Sequence, residues 1–168
     1  MSFARTNELF GDLPERMVAQ VRTGAIRIDG RREDWLGIAP AVVDPVGDYV
    51  VAGMSKGGDV RAMYLCEDDR CLYVRVDCVG RLSRNITYAV NLHGVASDGN
   101  RGRYSVSIRP PRRCRPANSV WAYKDNVLEL ALAKAKLRLA RTLYIQVSTK
   151  LVKITVDNTG WHEVRVRP

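Results

Sequence analysis

Three aromatic residues in the second half of the chain have the chemistry to bind a sugar. Trp121 and Tyr123 are two positions apart on one predicted strand and therefore share a face. A pyranose ring presents an apolar patch of C–H groups to an aromatic face, while nearby polar side chains bond its hydroxyls. The predicted ligand-binding set is Trp121, Tyr123, Lys124, Asp125, Asn126 and Trp161. The alternative is that Trp161, like Trp35, packs in the core or at a sheet edge.

A segment rich in arginine has the most unusual local charge in the sequence. The segment 101–115 has no acidic residue, in a chain of formal net charge +9. Prolines at 110, 111 and 116 favour extended backbone, from which guanidinium groups can reach phosphates or uronates. The predicted anion-binding residues are Arg101, Arg103, Arg109, Arg112, Arg113 and Arg115. The alternative is a solvated loop that pairs with acidic residues elsewhere.

Aspartates make calcium a candidate ligand, because hard cations need several oxygen donors. Four of them, Asp29, Asp34, Asp44 and Asp48, lie early in the chain, and Asp68 and Asp69 share a predicted turn. None matches the spacing of an EF-hand loop. The alternative is that these carboxylates form turns.

The cysteines and histidines do not have the spacing of a zinc site, so we predict no metal site of that kind. Cys66 and Cys71 flank a predicted four-residue loop, 67–70, which would place them opposite each other on two strands. They are a candidate disulfide if the compartment is oxidising. The other two cysteines of the chain are Cys78 and Cys114.

Catalytic motifs are absent from the sequence, so we predict a protein that is not an enzyme. The chain has no Ser, His and Asp grouping, no glycine-rich phosphate cradle and no Gly-x-Ser-x-Gly elbow. Glu129 with a nearby aspartate could form a glycosidase pair.

The elements that position these residues are predicted to be strands. From residue 25 onward, apolar and polar residues alternate in short runs separated by Gly, Asp, Asn and Pro. Leu72, Val74 and Val76 face one way, with Tyr73 and Arg75 on the other side. The pattern predicts an all-β fold, an antiparallel, jelly-roll-like β-sandwich over residues 25–168. One domain suits the length of 168 residues.

Residues 1–24 are predicted to form a short helical extension. Asp12 can cap it, Pro14 suits the first turn, and Met17, Val18 and Val21 form an apolar stripe. This helix would either cover the sandwich or dock a partner. The N-terminus lacks a signal peptide, which predicts a cytoplasmic location if the sequence is complete and an extracellular one if a signal was removed; no stretch is long enough for a membrane span.

Four phrases of the sequence, in this order, resemble the carbohydrate-binding module family 9 and the related DOMON-like sandwiches. They are Ile-Arg-Ile-Asp-Gly at 26–30 with Asp34-Trp35; Asp59 with the acidic turn 68–69 and Leu-Tyr-Val-Arg-Val at 72–76; Val-Leu-Glu-Leu-Ala-Leu at 127–132 with Leu137; and Asp-Asn-Thr-Gly-Trp at 157–161. The resemblance implies an antiparallel sandwich, often attached to glycoside hydrolases or surface proteins. It implies sugar binding in some members, and haem or no known ligand in others. Because Glu129 lies in the strand that resembles a structural hallmark of these non-catalytic modules, the resemblance also implies a surface or hydrogen-bonded role for it.

The leading functional prediction is a non-catalytic module that recognises a glycan or a similar polymer. The alternative is a basic scaffold or assembly protein that binds a protein partner, nucleic acid or an anionic polymer through its arginine-rich segment. The excess of arginine also fits base composition or adaptation to heat, which leaves the choice of partner open.

Overall fold

A computed structural model describes residues 17–49, 56–96, 98–110, 119–137 and 139–167. In chain order, the strands of this part are β1 (Ala19–Gln20), β2 (Pro40–Val43), β3 (Val60–Glu67), β4 (Cys71–Cys78), β5 (Ile86–Ala96), β6 (Arg101–Ile108), β7 (Ser119–Lys124), β8 (Val127–Ala133), β9 (Leu139–Leu151), β10 (Ile154–Asn158) and β11 (His162–Arg165). Short 3₁₀ turns occupy Glu33–Trp35 and Lys56–Gly58, and the helical turn α1 spans Lys134–Leu137.

The strands form two sheets. A six-stranded sheet has the order β1-β3-β4-β8-β7, with β2 also paired to β3. A five-stranded sheet has the order β10-β9-β5-β6, with β11 also paired to β9. All these pairs are antiparallel except β1 with β3, which is parallel. The prediction of an all-β sandwich is confirmed.

The main core lies between the sheets, because alternate side chains of both sheets join one buried cluster. Leu72, Val74 and Val76 of β4 belong to it, as do Leu92 of β5 and Ile145 of β9. Each of these side chains is at most 1% exposed. The predicted division of β4 into two faces is therefore correct, and it fixes which side chains of each strand point away from the core.

A second, smaller cluster covers the outer face of the six-stranded sheet. Ile26 and Trp35 pack there against Cys66 and Tyr73, whose side chains point away from the main core. Trp35 is only 2% exposed, which confirms its predicted packing role. No comparable apolar cluster covers the outer face of the five-stranded sheet in the part of the chain that the structure describes.

The predicted N-terminal helix is wrong for residues 17–24. Met17 bridges Arg165, and β1 pairs with β3. The Val18 N–H donates to the Arg165 carbonyl (2.9 Å), and the Val21 N–H donates to the Glu67 carbonyl (2.8 Å). The edge of a sheet offers unpaired backbone groups to which this segment can hydrogen-bond. These hydrogen bonds, together with the burial of Val18, stabilise the extended segment more than its weak helical propensity would stabilise a helix. Asp12 and Pro14 lie outside the described residues.

The predicted pairing of Cys66 with Cys71 is also wrong. Cys66 lies opposite Tyr73 and Glu67 lies opposite Leu72, so the turn is displaced by one residue along the chain. The Asp68 N–H also donates to the Cys71 carbonyl at 3.1 Å, which makes the turn tighter than predicted. The Asp68 carboxylate closes this tight turn by accepting hydrogen bonds from the N–H groups of residues 70 and 71, each at 2.8 Å. Cys66, Cys71 and Cys78 are free thiols, and Cys114 lies outside the described residues.

No helix among the described residues has the length and apolar character that crossing a membrane requires.

Candidate functional site

An exposed aromatic cluster lies on the outer face of the five-stranded sheet. His93 of β5 is opposite Tyr144 of β9, and their rings stack with centroids 4.9 Å apart and an interplanar angle of 17°. Trp161, just before β11, meets the His93 ring edge to face at 4.5 Å and 68°. The Trp161 residue is 48% exposed. An aromatic surface with this exposure is available for stacking against a flat apolar ligand face.

The cluster lies in an open groove of about 1220 Å³. The groove extends across the strands from Trp161 to β6, where Arg101 and Arg103 also line it. Arg103 is opposite His93, so a cationic side chain continues the row formed by the aromatic rings. Both arginines are exposed. The groove therefore combines stacking surfaces with donors suited to carboxylate, sulfate or phosphate groups.

Polar side chains form the adjacent row across the same face. The Ser105 hydroxyl donates to Oδ1 of Asn91 at 2.7 Å, and Nδ2 of Asn91 donates to the Ser148 hydroxyl at 3.3 Å. Asn91 and Ser105 both line the groove. Amide and hydroxyl groups held in place by such bonds can exchange hydrogen bonds with ligand hydroxyls.

Tyr144 is held in position by Glu163. The Tyr144 hydroxyl donates to Oε2 of Glu163 at 3.0 Å, on the neighbouring strand. This hydrogen bond to the carboxylate, with the repulsion between the two negative groups, raises the pKa of Tyr144. The phenol therefore stays protonated at neutral pH and acts as a fixed aromatic surface.

The predicted ligand-binding residues lie in two different parts of the molecule. Trp161 lies in the groove. Trp121 and Tyr123 do share a face and stack, at 6.0 Å between centroids, but they are partly buried against the main core. Trp121 lies opposite Leu130, one of the core residues. The structure thus brings Trp161 together with His93 and Tyr144 instead of with Trp121.

The residues that follow Tyr123 form the turn between β7 and β8. Asn126 donates through Nδ2 to the Cys78 carbonyl at 2.7 Å and accepts from Arg32 at 3.0 Å. Asp125, with φ of 51°, forms an exposed ion pair with Arg81 at 3.2 Å. Lys124 is exposed. The contacts of Asn126 and Asp125 therefore stabilise this turn.

The predicted anion-binding arginines are only partly described. Arg101 and Arg103 line the groove. Arg109 is exposed and donates through Nε to the Arg84 carbonyl at 3.0 Å. Arg112, Arg113 and Arg115 lie outside the described residues.

Glu129 is fully buried and connects the six-stranded sheet to the segment that covers it. Its Oε2 accepts hydrogen bonds from the N–H groups of Asp29 (2.9 Å) and Gly30 (2.7 Å), and its Oε1 accepts one from Nε1 of Trp35 (2.8 Å). Burial raises the pKa of Glu129, and these donors oppose the rise. All three contacts are structural, which confirms the expectation of a hydrogen-bonded role.

The predicted calcium ligands are brought together only in part. Oxygens of Asp44, Asp48 and Asp157 lie within 4.8 Å of one another. The others serve as local acceptors: Asp29 for the Arg31 N–H, Asp34 for the Arg27 N–H and Asp68 for its own turn. Asp69 is exposed. Asp157, which the sequence did not single out as a cation ligand, comes from β10.

Sequence reasoning missed four groove residues that the proposed site uses: His93, Tyr144, Asn91 and Ser105. His93 follows the core residue Leu92, and Tyr144 lies between the core residues Leu143 and Ile145, which could have placed both rings on the outer face. Their meeting depends on the register of β5 with β9, and the sequence does not specify it.

The chain matches no protein-family model, no curated protein and no solved structure. The resemblance to carbohydrate-binding module family 9 and the DOMON-like sandwiches therefore stays a prediction.

Proposed function

We propose that this protein is a non-catalytic glycan-binding module whose site is the groove on the outer face of the five-stranded sheet. The observation that carries the proposal is the exposed cluster of Trp161, His93 and Tyr144 in that groove. Trp161 provides the stacking surface for a sugar ring, and Asn91 and Ser105 bond its hydroxyls.

The arginines of β6 favour a sugar that carries a carboxylate or sulfate. Arg101 and Arg103 line the groove beside the aromatic cluster, so one ligand can stack on Trp161 and pair with a guanidinium. We therefore expect an acidic oligosaccharide, such as a uronate, to bind more tightly than a neutral one of equal length.

A binding role fits Glu129 and Glu163 better than a hydrolytic one. Glu129 is buried and uses both oxygens to hold backbone and Trp35 donors. Glu163 is engaged by the Tyr144 hydroxyl. Neither is placed as a free partner in the carboxylate pair that glycoside hydrolysis uses.

Glu129 joins two of the four phrases on which the family resemblance rests. Its hydrogen bonds link the first phrase, through Asp29, Gly30 and Trp35, to the strand with the central Glu. These phrases therefore have a shared structural role in this sandwich.

The proposal is tested by titrating neutral and acidic oligosaccharides into matched tryptophan variants. We expect Trp161→Leu to weaken binding about three- to tenfold, because stacking on one aromatic ring contributes roughly 0.5–1.5 kcal/mol. Trp121→Leu keeps an apolar side chain on the core side and is expected to bind as the wild type does. Melting curves of both variants check that they are folded.

Two results would overturn the proposal. One is the absence of binding to any neutral or acidic oligosaccharide at millimolar concentration. The other is equal affinity of the wild type and Trp161→Leu for an oligosaccharide that does bind.

A second candidate function is the binding of nucleic acid or another anionic polymer, which the arginines on β6 favour. Bases stack on aromatic side chains as sugars do, and phosphates pair with guanidinium groups. Titration with single-stranded RNA at low and high salt distinguishes the two candidates. Tight binding of RNA that falls steeply with salt, without binding of acidic oligosaccharides, would favour the second one.

A further inference from the structure

Four carboxylates meet where the loop 44–48, the start of β3 and β10 come together. Oxygens of Asp44, Asp48 and Asp157 lie within 4.8 Å of one another. Asp59 lies beside them, since its charge acts on Asp44 and its Oδ2 accepts a hydrogen bond from the Gly47 N–H at 2.9 Å. This acidic cluster (Asp44, Asp48, Asp59 and Asp157) lies apart from the groove lining.

Two members of the acidic cluster have buried oxygens that accept no hydrogen bond. They are Oδ2 of Asp44, a residue 8% exposed, and Oδ1 of Asp59, a residue 1% exposed. A buried carboxylate oxygen without a partner is costly, since it gives up water and gains nothing in return. These two oxygens are therefore the atoms that most need a positively charged partner.

The other two members leave the cluster with an excess of negative charge. Asp157 accepts the Val60 N–H through Oδ2 at 2.7 Å, and Asp48 is exposed. Burial first, and then repulsion from Asp157, Asp48 and Asp59, raises the pKa of Asp44 to about 7. Burial likewise raises the pKa values of Asp59 and Asp157, although backbone donors oppose the rise. Lys56 is the cation that acts on Asp59, and it is exposed.

We propose that the acidic cluster is a calcium-binding site, in which carboxylate oxygens of Asp44, Asp48 and Asp157 ligate the ion and Asp59 lies beside them. Oxygens that ligate one Ca²⁺ at about 2.4 Å lie within about 4.8 Å of one another, which is the spacing of the Asp44, Asp48 and Asp157 oxygens. Calcium suits an all-oxygen set of uneven geometry better than Mg²⁺, which demands a regular octahedron, or Zn²⁺, which prefers nitrogen and sulfur.

A bound calcium ion would join the loop 44–48, which follows β2 of the six-stranded sheet, to β10 of the five-stranded sheet. The ion would act mainly on stability, because it links segments that belong to the two sheets. This role is independent of the ligand that the groove binds.

The test uses the full chain, freed of metal with EDTA, and follows thermal unfolding after addition of Ca²⁺. At 5 mM Ca²⁺ and a dissociation constant of about 10⁻⁴ M, the melting temperature is expected to rise by about 5 °C. Mg²⁺ at the same ionic strength is expected to raise it by less. Calorimetric titration with Ca²⁺ gives the stoichiometry directly.

Asp44→Asn gives the sharper result, because it removes a buried charge as well as a ligand. In EDTA this variant is expected to melt at a higher temperature than the wild type, and Ca²⁺ should no longer stabilise it. Asp48→Asn changes an exposed side chain and should weaken calcium binding without a change of packing. Asp69→Asn, an exposed aspartate outside the cluster, is the control and should respond to Ca²⁺ as the wild type does.

The proposal is overturned if Ca²⁺ leaves the melting temperature of the wild type unchanged, or if Asp44→Asn and Asp48→Asn both respond to Ca²⁺ as fully as Asp69→Asn.

Discussion

Glu129 shows how one side chain can organise a fold at long range. It is fully buried, and it holds two backbone N–H groups and the indole N–H of Trp35. The sequence predicted a hydrogen-bonded or surface role for it, and Trp35 as a packing residue, but not that they bond to each other. Contacts between residues about a hundred positions apart depend on how the segments pack, which local pattern does not reveal.

Glu129→Gln is expected to destabilise the protein by about 3 kcal/mol. The amide keeps the size of the side chain. Its NH₂ group, however, must face at least one of the N–H groups that now donate hydrogen bonds to the carboxylate. The free energy of unfolding in denaturant measures the loss. Glu33→Gln, at an exposed glutamate in the covering segment, is the control and should change the free energy by no more than about 0.5 kcal/mol.

Asp44 makes stability depend on pH in a defined direction. Its pKa of about 7 in the folded state lies above its ordinary value of 3.8, so the folded state holds the proton more tightly. The resulting stabilisation is present at low pH and is lost as the pH rises from about 4 through 7. The groups that face Asp44 are Asp48, Asp59 and Asp157, and they act in the same sense.

In EDTA, we therefore expect the melting temperature of the wild type to fall between pH 5 and pH 8 by more than that of Asp44→Asn. Thermal melts of both proteins at each pH unit give the difference between their melting temperatures. The effects of groups that titrate in both proteins cancel in this difference. Parallel pH profiles for the two proteins would contradict the assignment of this dependence to Asp44.

The segment before β3 covers the six-stranded sheet, and at Gly30 it passes close to the end of β7. A Cβ atom there would lie 2.6 Å from the backbone nitrogen of Lys124, and Gly30 has φ of +80°. Only glycine meets both requirements. The Asp-Gly phrase of the sequence therefore marks a contact between elements as well as a turn.

Gly30→Ala is expected to cost about 3 kcal/mol of stability, since it adds a backbone clash to an unfavourable φ. Gly37→Ala separates the two effects. Gly37 has φ of +84° but open space around its Cβ position, so this variant should lose only about 1 kcal/mol. Denaturant unfolding of both variants measures the difference, and equal losses would show that the contact with Lys124 is unimportant.

The strands and their inward faces could be predicted because period-two alternation encodes both. Leu72, Val74 and Val76 are examples, and all are buried as expected. Pairing between strands could not be predicted, since it depends on turn geometry and tertiary contacts. The tight turn made by Asp68 moved Cys66 opposite Tyr73, and pairing with β3 drew the segment after Met17 into the sheet.

The two sides of the whole molecule differ in what covers them. The outer face of the six-stranded sheet is covered by the segment around Ile26 and Trp35. The outer face of the five-stranded sheet carries the groove, with Trp161 and the arginines of β6. This asymmetry is a property of the assembled sandwich. It underlies our proposal that the ligand binds on the second side, at Trp161, and not at Trp121, the other stacking residue that the sequence predicted.

The net charge of +9 provides a rival explanation for any binding of acidic ligands, because a basic molecule attracts them from every direction. Two double variants that lose the same amount of positive charge distinguish binding at the groove from attraction by the charge of the whole molecule. Arg101→Gln with Arg103→Gln alters the groove, and Arg27→Gln with Arg31→Gln alters exposed positions in the segment over the other sheet.

We expect the groove pair to weaken binding of an acidic oligosaccharide about tenfold or more and to reduce its salt dependence, because direct guanidinium contacts are lost. Binding of a neutral oligosaccharide should change little. The pair at 27 and 31 should alter affinity by no more than about twofold, as expected for distant exposed charges screened by salt. Calorimetric titrations at two salt concentrations measure both effects, and equal losses in the two double variants would mean that the field of the whole molecule, and not the groove, attracts the ligand.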